Sequence, residues 1–324
     1  MRRLYALATA ILLTTGSFAQ WGKEHSGNIG FFNHLELGVT AGSTGIGLDA
    51  AMPVGNVVRL RAGFTYMPKF EHDMNFGIQV GDEASSPEEQ HTRFQEMADM
   101  LEKFTGASID NNVRMIGEPT FSNFKLLVDV YPFRNKHWYL TGGFYVGGAN
   151  IARACNAIEE GSTLFSVTMY NHIADKAIEA YETDEPFISM GGTDIYISED
   201  YYNKLKRNGR AGVHVGRYKQ TGKYYLMEPD KDNTVRAKVK VNRFRPYIGF
   251  GYNGAMLQND DRLNIGFDCG IMMWGGTPSI ITHDGTDLAK DVYGIGGKVG
   301  DYVKLIKGIK VYPTLNLRVA YRIF

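Results

Sequence analysis

One stretch constrains the fold more than any other: VDVYPFRNKHWYLTGGFYVGGA, Val128 to Ala149. Two arms alternate apolar residues with small or polar ones, and a short polar knot joins them. A period of two belongs to a strand with one apolar face. A tight link between two such runs makes them antiparallel neighbours. A soluble hairpin packed on a core has this pattern. Two adjacent strands of a barrel standing in a bilayer, apolar face outward, have it too.

The rest of the chain separates the two readings. With the opening arms included, eight segments alternate: HLELGVTAG, TGIGLDAAM, VVRLRAGFTYM, FKLLVDVY, WYLTGGFYVG, RFRPYIGFGY, RLNIGFDCGIM and YPTLNLRVAYRIF. One face of each is almost purely apolar, as in Leu37, Val39 and Ala41 or Leu315, Leu317 and Val319. The other face is dominated by glycine, with tyrosine, threonine and charges of both signs. A strand facing water carries long charged side chains in place of glycine. A closed, narrow barrel interior takes small residues mixed with large polar ones, and a lipid-facing exterior takes the apolar set. The abundance of glycine (38 residues) and aromatics (12%), with a mean hydropathy of only −0.25, suits a barrel with a polar interior and wet loops.

The links also sort by end. Pro53–Asn56, Phe133–His137 and Asn253–Asp261 are short, whereas Glu71–Thr120, Arg153–Asn242 and Gly275–Lys310 are long. Only Gly42–Thr44, on the long-loop side, is short and breaks the alternation. Short turns on the periplasmic side and long loops outside are the habit of a transmembrane barrel. The expectation is therefore an all-β chain, an eight-stranded antiparallel transmembrane β-barrel with ten strands as the alternative count, carrying long, partly helical outer loops. The loop insertions fall at about 71–120, 153–242 and 275–310. SSPEEQHTRFQEMADMLEKF opens with Ser86, Pro87 and two acids, the signals of a helix start. TLFSVTMYNHIADKAIEAY and KVGDYVKLIKGIK predict two more helices, and GVHVGRYKQTGKYYLM an extra hairpin.

Residues 1–19 have the pattern of a secretory signal: Arg2 and Arg3, a short apolar run, then Ser17 and Ala19 before a cut that leaves Gln20 first. The mature unit is 20–324. Losing two arginines leaves 33 basic side chains against 35 acids, which argues against a nucleic-acid partner. Two cysteines, Cys155 and Cys269, make no disulfide scaffold.

The signal ending before Gln20, with GLDAAMPVGNVVRLRAGFTY, VDVYPFRNKHWYLTGGFYVGG and LNLRVAYRIF, resembles the small outer-membrane β-barrel proteins common in Bacteroidetes, a porin-like or OmpA-type barrel lineage. In these a D-x-Y-P-F turn followed by an aromatic and T-G-G recurs. The resemblance covers the barrel strands, about half of the chain, and leaves the three large loops uncovered. It implies a bacterial outer-membrane location and contact with outer-membrane lipid. It also implies recognition of the C-terminal strand by the barrel-insertion machinery. Phe324 ends the chain one step out of phase with Tyr321 and Ile323, a departure from the usual terminal aromatic.

The inward faces carry Glu36, Asp49, Asp129 and Asp268 with Arg59, Arg61, Lys125, Arg245, Arg318 and Arg322. An eight-stranded barrel has room inside for side chains and little else, and charges held there must pair. These ten residues are the candidate site, a lumen ionic network. The histidines lack metal-pair spacing, and neither a G-x-S-x-G elbow nor a complete phosphate loop occurs. In EPDKDNTV, Asp230 and Asp232 lack the glycine and distal glutamate of a calcium loop. No catalytic residue, metal ligand or cofactor is therefore assigned, and the chain is expected not to be an enzyme. The expected role is structural or in surface interaction, through an unknown extracellular ligand or protein bound by the loops. A small diffusion porin for ions or small solutes is the alternative, and an outer-membrane lipid-modifying enzyme the second.

Overall fold

A computed structural model describes residues 34–323, apart from 82–85, 106–108, 135, 258–259 and 309. The segment expected to be a signal peptide, residues 1–19, and Phe324 lie outside the described residues. Following the chain, the strands are β1 (Glu36–Gly42), β2 (Gly45–Val54), β3 (Val58–Tyr66), β4 (His72–Val80), β5 (Asn112–Pro119) and β6 (Ser122–Val130). Next come β7 (Trp138–Gly147), β8 (Asn150–Asn156), β9 (Ile188–Met190), β10 (Thr193–Ile195), β11 (Ala211–Tyr218) and β12 (Tyr224–Met227). Last are β13 (Arg236–Lys240), β14 (Phe244–Leu257), β15 (Asp260–Met273), β16 (Ser279–Thr282), β17 (Val292–Tyr293) and β18 (Val311–Arg322). Among the described residues four α-helices lie between them, α1 (Pro87–Thr105), α2 (Gly161–Glu182), α3 (Glu199–Asn208) and α4 (Gly297–Gly308), with a 3-10 turn at Ile158–Glu160 leading into α2.

Eight strands close into an antiparallel barrel in the order β1-β18-β15-β14-β7-β6-β3-β2. The strand count is eight. Closure comes from β1 against β18, with Leu37 opposite Tyr321 and Thr40 opposite Arg318. The apolar faces point outward: Leu48 is 67% exposed and Leu317 62%. Aromatics edge this belt at both rims. Trp138, Tyr252 and Phe267 cluster at the turn end, with Trp138 and Tyr252 rings 5.2 Å apart. Phe144 and Phe244 meet at 5.1 Å near the loop end. An apolar band between two aromatic girdles is the surface a bilayer selects.

The inward glycines are room for larger neighbours. A Cβ on Gly38 would stand 2.6 Å from an Asp49 carboxylate oxygen and 2.8 Å from Arg318 Nε. One on Gly251 would strike the Tyr139 ring and hydroxyl. In so narrow a cylinder a long side chain on one strand needs a bare backbone opposite.

Above the loop-end rim the chain does not dissolve into separate loops. A second sheet runs β12-β11-β4-β5-β8-β13-β16, with β17 also on β11. Its run β4-β5-β8-β13-β16 repeats the order of the barrel run β3-β6-β7-β14-β15, because each member is the continuation of one barrel strand. Five of the eight staves thus extend past the rim, and segments from all three insertions pair into one domain. α1, α2 and α4 pack on this sheet around Phe94, Met97, Leu101, Leu164, Val167 and Val303, all buried. The helix start at Ser86 forms as its sequence dictates, the serine hydroxyl accepting from the Glu89 amide at 3.2 Å. α3, capped by Ser198, and the β9–β10 hairpin were not anticipated from the sequence. The β11–β12 hairpin was.

Candidate functional site

Eight of the ten predicted lumen residues come together inside the barrel, all less than 6% exposed. They form an unbranched chain of alternating sign: Asp268, Arg61, Asp129, Arg59, Glu36, Arg318, Asp49, Lys125. Arg61 grips Asp268 as a fork, Nη1 and Nη2 each donating at 2.8 Å. It donates to Asp129 at 2.9 Å, as does Arg59. Arg59 reaches Glu36 at 3.4 Å, and Arg318 joins Glu36 at 3.2 Å and Asp49 at 2.9 Å. Lys125 closes on Asp49 at 2.8 Å. Four acids thus meet four bases, so the network carries no formal net charge.

The geometry explains how charges persist there. Burying an ion costs several kcal/mol, and only close opposite charges with further hydrogen bonds offset it. Each interior member touches two partners of opposite sign. At one end of the chain Asp268 also accepts from the Tyr139 hydroxyl at 2.9 Å, and Thr141 donates to Asp129 at 2.8 Å. Arg59 lies over the Tyr131 and Tyr139 rings at 5.3 and 5.0 Å, a favourable cation–π arrangement. The local sequence delivers these groups because period-two alternation places Arg59 with Arg61, and Lys125 with Asp129, on one face of one strand.

The remaining two residues stand apart, which corrects the ten-membered network. Arg245 is buried at the loop-end rim, where it donates to the Asn242 carbonyl at 2.8 Å, the Gly148 carbonyl and the Asn123 amide oxygen, and lies over the Phe121 ring at 5.2 Å. Its phase is inward, but it sits several residues along the axis from any of the four acids. It ties down the connections into β8 and from β13. Arg322 lies at the other end, on the wall of a vestibule of about 370 Å³ shared with His34, Glu36, Arg59, Tyr131 and Lys136. That vestibule opens at the turn end and stops at the network.

A second closure has no charge and was missed in the sequence. Phe121, Leu127, Tyr145, Tyr247, Met272 and Trp274 form a buried cluster toward the loop end of the lumen. Tyr145 and Tyr247 meet edge to face at 5.3 Å, and Trp274 stacks on Tyr312 at 5.4 Å. Phe121 and Trp274 lie just beyond the alternating segments, where the period gives no face assignment. Among the described residues no group of three or more His, Cys, Asp or Glu side chains is placed to hold a metal ion. Cys155, in β8, and Cys269, in β15, are both free thiols. Asp230 spends its carboxylate on the amides of Asp232 and Thr234, as a turn residue does.

No family model and no curated protein matches the chain. It is similar to the crystal structure of Acinetobacter baumannii CarO2, at 12% identity and a TM-score of 0.38, over 90% of this chain and 100% of that one. It is also similar to A. baumannii CarO (11%, 0.35, 91% and 99%) and to a major outer membrane protein from Thermus thermophilus (11%, 0.26, 89% and 98%). These likenesses are distant.

Proposed function

We propose that the chain is a bacterial outer-membrane barrel whose lumen is shut, and that its task is to hold a folded domain at the cell surface for a structural or interaction role. The observation that carries this is the doubly closed lumen: an alternating chain of eight buried charges, with an aromatic layer beyond it. A pore needs a continuous column of water, and an eight-stranded barrel filled with arginine and tyrosine leaves none. The apolar belt and its aromatic girdles supply the membrane reading, with outer-membrane lipid as the immediate partner. The lineage common in Bacteroidetes, the periplasmic side for the short turns, delivery by a signal peptide and use of the C-terminal strand by the insertion machinery belong to the same proposal. No catalytic role is included.

Purified protein in planar bilayers tests it. The expected record shows little steady conductance. Stable, anion-selective steps from the unmutated chain would overturn the closed lumen and establish the diffusion porin in its place.

A further inference from the structure

The extended sheet borders a half-open chamber that the closed lumen does not use. It has a volume of about 410 Å³ and is lined by Met74, Phe76, Met115, Val239, Ile280 and Val303 among others. It lies against the same face of the staves as the lumen: along β5 and β6, Met115, Gly117 and Pro119 line the chamber, and Phe121 and Lys125 follow in the same phase inside the barrel. A pocket of this size is in the range used for small-molecule ligands.

Its chemistry narrows the ligand. The polar side chains on its wall already have partners. Arg153 donates to Glu118 at 2.6 and 2.8 Å, and the Thr282 hydroxyl is engaged by the Tyr225 hydroxyl at 2.9 Å and the Thr286 carbonyl at 3.0 Å. His72 also has a partner. The wall is otherwise almost wholly apolar side chain, so shape and apolar contact dominate recognition. Water gains few hydrogen bonds against so apolar a wall.

Its position names the source. Phe70, on the chamber wall, is 61% exposed and marks an open side. It follows the lipid-facing Tyr66 by four residues, a reach of at most ~14 Å. The opening therefore sits next to the rim of the apolar belt. We propose that the chamber binds a single aliphatic chain, the acyl tail of a fatty acid or of a membrane-derived lipid. A methylene takes roughly the 30 Å³ of a water molecule in the liquid, so the chamber's volume matches a chain of about fourteen carbons. This inference rests on reading the belt as lipid-facing. It does not depend on the lumen being shut, because conductance judges the lumen and ligand titration judges the chamber.

The test is titration of the full-length protein in detergent with cis-parinaric acid, a fluorescent fatty acid. The expected curve has a saturable component of one probe per chain above linear partition into the micelle. Ala154→Trp and Val239→Trp, which fill the chamber, should each weaken that component at least tenfold. Leu48→Trp, on the lipid face, should leave it unchanged. Met74→Ala, which enlarges the chamber and does not depend on a bulky residue being accommodated, should shift competition toward longer unlabelled fatty acids. Absence of a saturable component in the native chain would overturn the proposal, as would its survival in both filling variants. So would its loss in Leu48→Trp, or a chain-length preference that Met74→Ala leaves unmoved.

Discussion

Five strands run from the barrel into the sheet above it, and the residues on their shared face change character on the way. Inside the barrel that face carries Arg61, Lys125, Asp129 and Asp268; above the rim it carries Met74, Met115, Val239 and Ile280. The outward faces change in the opposite sense, from Leu60, Leu140 and Ile248 below to the exposed Asp73, Asn75 and Lys238 above. On the membrane reading proposed above, a bilayer takes the apolar side chains for the outside, so what remains for a narrow interior is polar and self-paired. Where the same staves enter water on that reading, the ordinary arrangement returns and the apolar side packs inward. The difference teaches that the fold is one continuous wall whose two halves are sorted by solvent.

The largest effect expected from breaking this comparison lies inside the barrel. Arg61→Ala removes the one guanidinium shared by Asp129 and Asp268 and leaves both carboxylates buried with too little positive charge. Barrel stability should fall by about 3–5 kcal/mol. On gels where folded and unfolded barrels migrate differently, the transition should move to clearly lower temperature. An unchanged transition would mean that the charges tolerate isolation and do not hold the staves together.

A smaller effect sharpens the inversion from outside. Leu60→Arg places a charge on the lipid face and should cost about 2–4 kcal/mol. Asn75→Arg, outward on β4 just above the rim, should stay within about 0.5 kcal/mol, as most surface changes do. Equal tolerance at the two sites would show that the apolar belt does not meet lipid.

The smallest effect belongs to the domain alone and depends on pH. His214, on β11, is held below the usual histidine range, by burial first and by the Arg217 charge second. A histidine that stays neutral when folded lets the unfolded chain bind the proton more readily, so stability is full above the ordinary value of about 6.5. It is lost as pH falls below that value. Amide protection factors in β11 and β12, corrected for the intrinsic pH dependence of exchange, should therefore fall between pH 7 and pH 5, and His214→Phe should flatten the change. Identical profiles for the two chains would remove His214 as the cause.

What could be seen in the sequence follows from the range of the forces that set it. Strand faces are local: Arg59 and Arg61, or Lys125 and Asp129, share a side because successive side chains alternate, whatever else the chain does. Links too short to allow anything but neighbouring antiparallel strands then set four of the eight strand pairs of the barrel, and eight of the ten charged residues could be placed in one network from phase alone. Phase says nothing of height along the axis, and so Arg245 and Arg322 were drawn into a network that neither reaches. The helix at Pro87–Thr105 could be read because its start signals lie within a few residues of one another.

By itself, then, the sequence determined the alternating strands, their inward and outward sides and three of the four insertion helices, since each depends on neighbours a few positions apart. Only the tertiary structure decided that three insertions become one sheet. β4 finds β11, with Val80 opposite Ala211, and β8 finds β13, with Ala154 opposite Ala237. Those pairings join residues far apart in the chain. Short segments such as IARACN carry no period strong enough to announce them. The β8–β13 pairing forms because the barrel beneath has already set those two staves side by side, which removes most of the entropic cost of bringing such distant segments together.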